Sequence, residues 1–301
     1  MFSLAFGADH LSGNYGMRIV HGLQLVAVAI VAQAVMTMQR SLAPDRQRMA
    51  LALGALAIVI VLPPQFATLA AIVVGGLGGI VLFRSVPLKE SKPFLIRPSR
   101  VGASLCAATF LTLLFLLPLS SQLTHRLTLQ VISAFYTCGA LVFGGGHVVL
   151  PLLENAVVAP GWVKEPVFLS GYGAAQTLPG PLFSFGGFLG ASIQNSTNRF
   201  LFGLVGLFAL SVPGLLAMAS VLPFWQQWQE IRLVQCSFRG VNAAVVGVLI
   251  AALYSPLWTS SVHSRGDFLV VLICFVLLTQ WKLQPIVTVG FAIAASLVGT
   301  L

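Results

Sequence analysis

The chain has 301 residues, of which 57% are hydrophobic and only 8% charged. Water-soluble domains carry roughly 25% charged residues, so a soluble fold of this size is excluded and lipid must be the solvent for much of the surface. The net charge of +9 would suggest nucleic acid in a soluble protein. Here the basic residues sit in short polar gaps between apolar runs, as the positive-inside tendency requires, and no nucleic-acid partner is expected.

Apolar runs long enough to cross or nearly cross a bilayer predict spans over 19–38, 49–62, 66–83 and 101–118. A region interrupted by glycine and proline follows over 127–194, and then spans over 200–222, 241–258, 268–281 and 285–301. Residues 1–17 have neither a basic start nor a clean apolar run, so no cleavable leader is expected. Cys106, Cys138, Cys236 and Cys274 lie far apart inside apolar segments and form no Cys-x-x-Cys pair. They read as small buried hydrophobes, and no metal or cofactor is expected.

The longest polar gap, 84–100, holds five basic residues against Glu90 and is expected on the cytoplasmic side. Gap 39–48, with Arg40, Arg46 and Arg48 against Asp45, should face the same way, which places the start near Arg18 outside. Later in the chain, Arg232, Arg239 and Lys282 put 223–240 and 282 inside, and 259–267 outside. Trp162-Val163-Lys164 is expected inside and Arg199 outside, which would make 127–158 one broken crossing and 166–194 the returning one.

Weak internal similarity organises these elements. The stretch from Arg18 aligns with that from Arg239: Val20 falls on Val241, and His21 on Asn242. Both copies continue through a polar gap, a short span, a turn with Gln65 or Gln284, and a small-residue span. The predicted organisation is the second half of a first repeat unit over 1–83, a basic cytoplasmic linker over 84–100, a connecting span over 101–118 and a complete second unit over 119–301. An odd connecting span inverts the second unit, a recurrent transporter architecture. The expected fold class is all-α: a polytopic membrane protein of about ten hydrophobic spans, with inverted repeat units and two broken helices.

The chemistry concentrates in 143–191. Gly144-Gly145-Gly146 weakens a helix by about 1 kcal/mol per glycine, and Pro179-Gly180-Pro181 removes donors and clashes with the preceding turn. Irregular backbone at membrane depth survives only where it is buried in protein or lines a water-filled cavity. Each break also creates a half-helix N-terminus, whose free N–H groups and positive dipole end attract anions. A dianion could be held there without any buried lysine. The bland alternative is that the glycines allow close packing and the prolines kink.

The candidate substrate-binding residues are Gly144, Gly145, Gly146, His147, Gln176, Pro179, Gly180, Pro181 and Ser184. His147 could donate to an oxyanion; Gln176 could do so or satisfy carbonyls freed by the break; Ser184 and Asn242 could equally serve in interhelical hydrogen bonds. Glu154, seven positions after His147 and on the same helix face, either titrates, pairs with an arginine, or sits hydrated beside Lys164. Glu154, Asn242 and Arg239 are candidates for coupling or gating, Arg239 also for a boundary anchor. An enzyme is not expected, for no His-Glu-x-x-His or similar pattern occurs, nor a Walker A sequence to use ATP.

The run FGGGH-x-x-LP-x-L from Phe143, Gly161-Trp162, Ala175-Gln176, Pro179-Gly180-Pro181 and Phe188-Leu189-Gly190 resembles the chromate ion transporter family, in its long-chain form with two homologous halves. The resemblance implies export of chromate, a structural mimic of sulfate, across a bacterial inner membrane; sulfate or another oxyanion is the alternative substrate. A first-half counterpart of the Gly-rich and Pro-Gly-Pro motifs is absent, with Met1 falling at the point that matches Leu222. The expectations that follow are a start further upstream, an inactive truncated fragment, or a partner, either a second copy or a complementary half-transporter.

Overall fold

The computed structural model describes residues 14–84, 99–124, 126–142, 149–175, 184–193 and 198–298. Among these every regular element is helical. In chain order they are α1 (Asn14–Leu42), α2 (Arg46–Val61), α3 (Pro64–Leu82), α4 (Arg100–Thr124), α5 (Leu127–Ala140), α6 (Val149–Val157), α7 (Glu165–Ala175) and α8 (Ser184–Ala191). There follow α9 (Arg199–Val221), α10 (Trp225–Glu230), α11 (Arg232–Ala252), a wide π-turn (Leu253–Trp258), α12 (Thr259–Ser261), α13 (Arg265–Thr279) and α14 (Pro285–Val298). The stretches Gly16–Leu42, Arg100–Thr124, Arg199–Val221 and Arg232–Ser261 are each long and apolar enough to cross a bilayer. Large apolar side chains such as Leu105, Phe115, Phe208, Leu215 and Ile60 stand exposed. On a soluble protein they would be a liability; here they are the surface that lipid covers. The protein is an all-α polytopic membrane protein.

The chain forms two compact units. One unit comprises 38–149 and 209–248. In it α2 and α3 pair as a hairpin, α4 packs on α5, and the Tyr136 hydroxyl donates to the Phe110 carbonyl at 3.2 Å. The α2–α3 hairpin lies on the first part of α11 through very small residues. A Cβ on Gly79 would sit 2.7 Å from the Gly240 Cα, so no larger residue fits without a backbone shift. Ala55, Ala71, Ala244 and Val248 continue that seam as a buried cluster. This is small-residue packing, the way helices associate where lipid offers no hydrophobic drive.

The other unit comprises 1–37, 150–208 and 249–301. Its seam has the same character: the α13–α14 pair packs on the first part of α1, and a Cβ on Gly22 would meet Ile293 Cα at 2.9 Å. Polar ties reinforce it. Arg18 Nη1 donates to the Leu297 carbonyl at 2.9 Å, the Ser296 hydroxyl donates to the Arg18 carbonyl at 2.7 Å, and the Gln33 amide reaches the Leu278 carbonyl at 3.3 Å. Each long helix, α1 and α11, therefore receives the hairpin that follows the other one in sequence.

Two local features differ from the sequence reading. The span expected over 241–258 is not straight: it kinks at Ser255 (φ −127°, ψ 120°), next to Pro256, which cannot donate to a helix. Within 166–194, expected as a returning crossing, the described part is two short helices. Phe185 near the start of α8 packs edge-on against both Phe168 and Tyr172 of α7, with ring centroids 5.2 and 5.8 Å apart. Helices α7 and α8, about 16 and 12 Å long, thus lie side by side, and neither alone spans a roughly 30 Å hydrocarbon layer.

Candidate functional site

The site is built on the start of α1, whose residues turn one face toward α13 and another toward α7. His21 and Gln24, three apart, share a helix face. His21 Nε2 lies 2.7 Å from Asp267 Oδ1. The carboxylate is almost wholly enclosed, with 4% of the side chain exposed against 29% for His21. Its other oxygen, Oδ2, accepts the backbone N–H groups of His263 and Ser264, each at 2.9 Å. The Ser264 hydroxyl accepts the Asp267 N–H at 2.9 Å, closing a capping box on α13. Burial would push the Asp267 carboxyl up, but the His21 ring and the two backbone donors outweigh it and hold the group below the ordinary carboxylate range.

Beside this clamp is a cavity of about 690 Å³ lined by residues of α1, α7, α8 and the 260–263 segment. Lys164, His263 and Met17 are exposed and form its mouth. Gln24, Ser170, Gly171 and Ala174 are buried and form its depth, with the Phe188 ring as an apolar wall. Ser170 donates its hydroxyl back to the Val167 carbonyl at 3.1 Å. The Gln24 amide has no hydrogen-bond partner among the described residues, although only 7% of the residue is exposed. An amide that lines a largely apolar cavity can donate to an anion that enters it. Cationic and N–H-donating groups at the mouth and an amide at the floor suit an anion.

The same neighbourhood sets two expectations of sidedness against each other. Glu165 accepts a hydrogen bond from the Ser260 hydroxyl, and Lys164 and His263 line one cavity mouth. The 162–164 gap, expected inside, is therefore at the same end as 259–267, expected outside, and the two expectations do not hold together.

Of the sequence candidates, Gly144, Gly145, Gly146, His147, Gln176, Pro179, Gly180 and Pro181 lie outside the described residues. Of the helix ends next to them, the end of α5 at Ala140, with Leu141 as its cap, is described. Ser184 is half-buried at the start of α8. Glu154 is half-buried on α6 within electrostatic reach of Glu165, and no arginine pairs with it among the described residues. Asn242 and Arg239 are half-buried on α11, in the other unit, and neither lines the cavity. Sequence reasoning missed His21, Gln24 and Asp267. The one available signal was the repeat alignment, which put His21 on the candidate position Asn242.

A multi-span helical membrane protein with a cavity that Lys164 and His263 line at its mouth has the architecture of a membrane transport protein. The family model described as chromate transporter matches residues 129–299, more than half of the chain, and the protein belongs to the chromate transporter family. It is 29% identical over 177 residues to the probable chromate transport protein of Synechococcus elongatus, covering 57% of this chain and 43% of that protein. Against the chromate transport protein of Cupriavidus metallidurans it is 26% identical over 176 residues, covering 58% and 43%. Against the uncharacterized transporter YwrA of Bacillus subtilis it is 24% identical over 163 residues, covering 53% of this chain and 89% of that protein. The match thus spans less than half the length of the first two relatives and most of the third. No solved structure matches the chain.

Proposed function

We propose that the protein is a secondary transporter that exports chromate across the inner membrane, holding the dianion at half-helix N-termini beside the Gly-rich and Pro-Gly-Pro motifs. What supports this reading is the match of residues 129–299, which contain both motifs, to the chromate transporter family, together with the end of α5 at Ala140, just ahead of the glycines. Free N–H groups at half-helix N-termini beside the motifs would meet a tetrahedral dianion.

The cavity is the outer vestibule of this path. It lies at the N-terminal end of α1, a 29-residue helix whose other end carries Arg40 and leads into the basic gap 39–48. Positive-inside bias places that gap in the cytoplasm, so the cavity opens outward. The membrane potential suffices as a driving force: a dianion leaving through 100 mV gains about 4.6 kcal/mol, a concentration ratio of about 2,000-fold. Sulfate presents the same oxygens, and competition in vesicles separates the two. The test is to replace Gly145 or Gly180 with leucine and measure chromate retained by cells. Retention should rise; unchanged efflux at normal expression would reject the site.

A further inference from the structure

We propose that His21 is a proton-dependent anion ligand in the cavity, positioned by Asp267, so that chromate entering this vestibule is bound together with a proton. The inference rests on the transport reading above and adds to it a residue and a protonation state. It starts from the tautomer. Asp267 Oδ2 is already taken by two backbone N–H donors, and Oδ1 faces His21 Nε2 at 2.7 Å. A carboxylate so furnished is an acceptor only, so the hydrogen of that contact belongs to Nε2. Asp267 does not line the cavity whereas His21 does, which leaves Nδ1 as the nitrogen available to it.

In the neutral ring Nδ1 is bare and presents a lone pair, which repels an oxyanion. In the imidazolium it carries a hydrogen and becomes a charge-assisted donor. His21 therefore accepts the anion only in its charged form. Other charged groups around the ring are accounted for. Lys164 from the start of α7 and His263 from the segment before α13 share the cavity wall, and His263 Nε2 is within 3.2 Å of the Ser260 carbonyl. Arg18, one turn earlier on α1, is directed to the Leu297 carbonyl, and Glu165 receives Ser260. The unpartnered Gln24 amide, one turn deeper than His21, offers the second donor that would hold the anion below the ring.

The test uses the purified full chain in proteoliposomes, with chromate as the probe and the KM for uptake measured between about pH 5 and 8, the interval in which histidines change charge. Chromate itself takes up a proton in this range, so the quantity read is the ratio of the His21→Gln to the wild-type KM at each pH, in which the substrate's titration cancels. The ratio should be about one near pH 8 and rise toward about tenfold near pH 5. Asp267→Asn, which leaves the ring in place without the carboxylate that orients it, should raise KM at the low end of the pH range. A His21→Gln ratio that does not change with pH, or an Asp267→Asn profile superimposable on wild type, overturns the proposal. A purely structural role for His21 would shift the ratio equally at every pH. Absence of chromate uptake by the wild type would instead overturn the transport reading, and is seen in that arm alone.

Discussion

Replacing Gln24 with leucine separates binding from folding more cleanly than any other change at this site. The amide is buried, lines the cavity and has no partner among the described residues, so its removal breaks no internal hydrogen bond. The leucine is of similar length and covers the same ground in the cavity wall. Thermal stability should hold. A hydrogen bond from this amide to a charged oxygen is worth about 1.5–3 kcal/mol, so the KM for chromate should increase by about 12- to 160-fold. The assay is initial chromate uptake by proteoliposomes at a series of concentrations, with a melting curve on the same preparation. An unchanged KM would refute the claim that the cavity floor touches the anion. A melting temperature several degrees lower would refute the claim that the amide is unpartnered.

Other consequences follow from the packing and from the Asp267 clamp. Because the folded carboxyl lies below its ordinary range, the clamp stabilises 263–267 above that range and loses its effect as pH falls through it. The protection of the His263 and Ser264 amides, taken relative to the intrinsic exchange rate at each pH, should fall on acidification, and Asp267→Asn should lower it already at neutral pH. Gly240→Leu forces α3 and α11 apart and should cost about 1–3 kcal/mol, read as a lower melting temperature. Cysteines placed at Lys164 and His263 should both react with an impermeant thiol reagent added from the periplasmic side; labelling from opposite sides would contradict the shared cavity mouth.

The all-α, many-span character was legible in sequence because composition and apolar run length are local properties; the Gly-rich and Pro-Gly-Pro motifs themselves lie outside the described residues. The lipid-facing character of α4 and α9 was equally plain from composition. The packing of α7 against α8 was not, because the contacts of Phe185 with Phe168 and Tyr172 are a tertiary fact that hydropathy along the chain does not register. The His21–Asp267 pair joins residues 246 apart in the chain, and an isolated histidine in an apolar run carries no mark of its partner. The kink at Ser255 escaped notice because Pro256 lies at the end of its apolar run, where a proline ordinarily means only that a helix is over.

The central claim is that this chain moves chromate along a path lined by its own broken helices. The most direct measurement is chromate flux in proteoliposomes containing this chain alone, with a potassium diffusion potential of either sign. The account predicts flux above protein-free vesicles that accelerates when the compartment holding chromate is made negative, and that Gly180→Leu abolishes. Flux no greater than in protein-free vesicles, or flux indifferent to the potential and to Gly180→Leu, would contradict it.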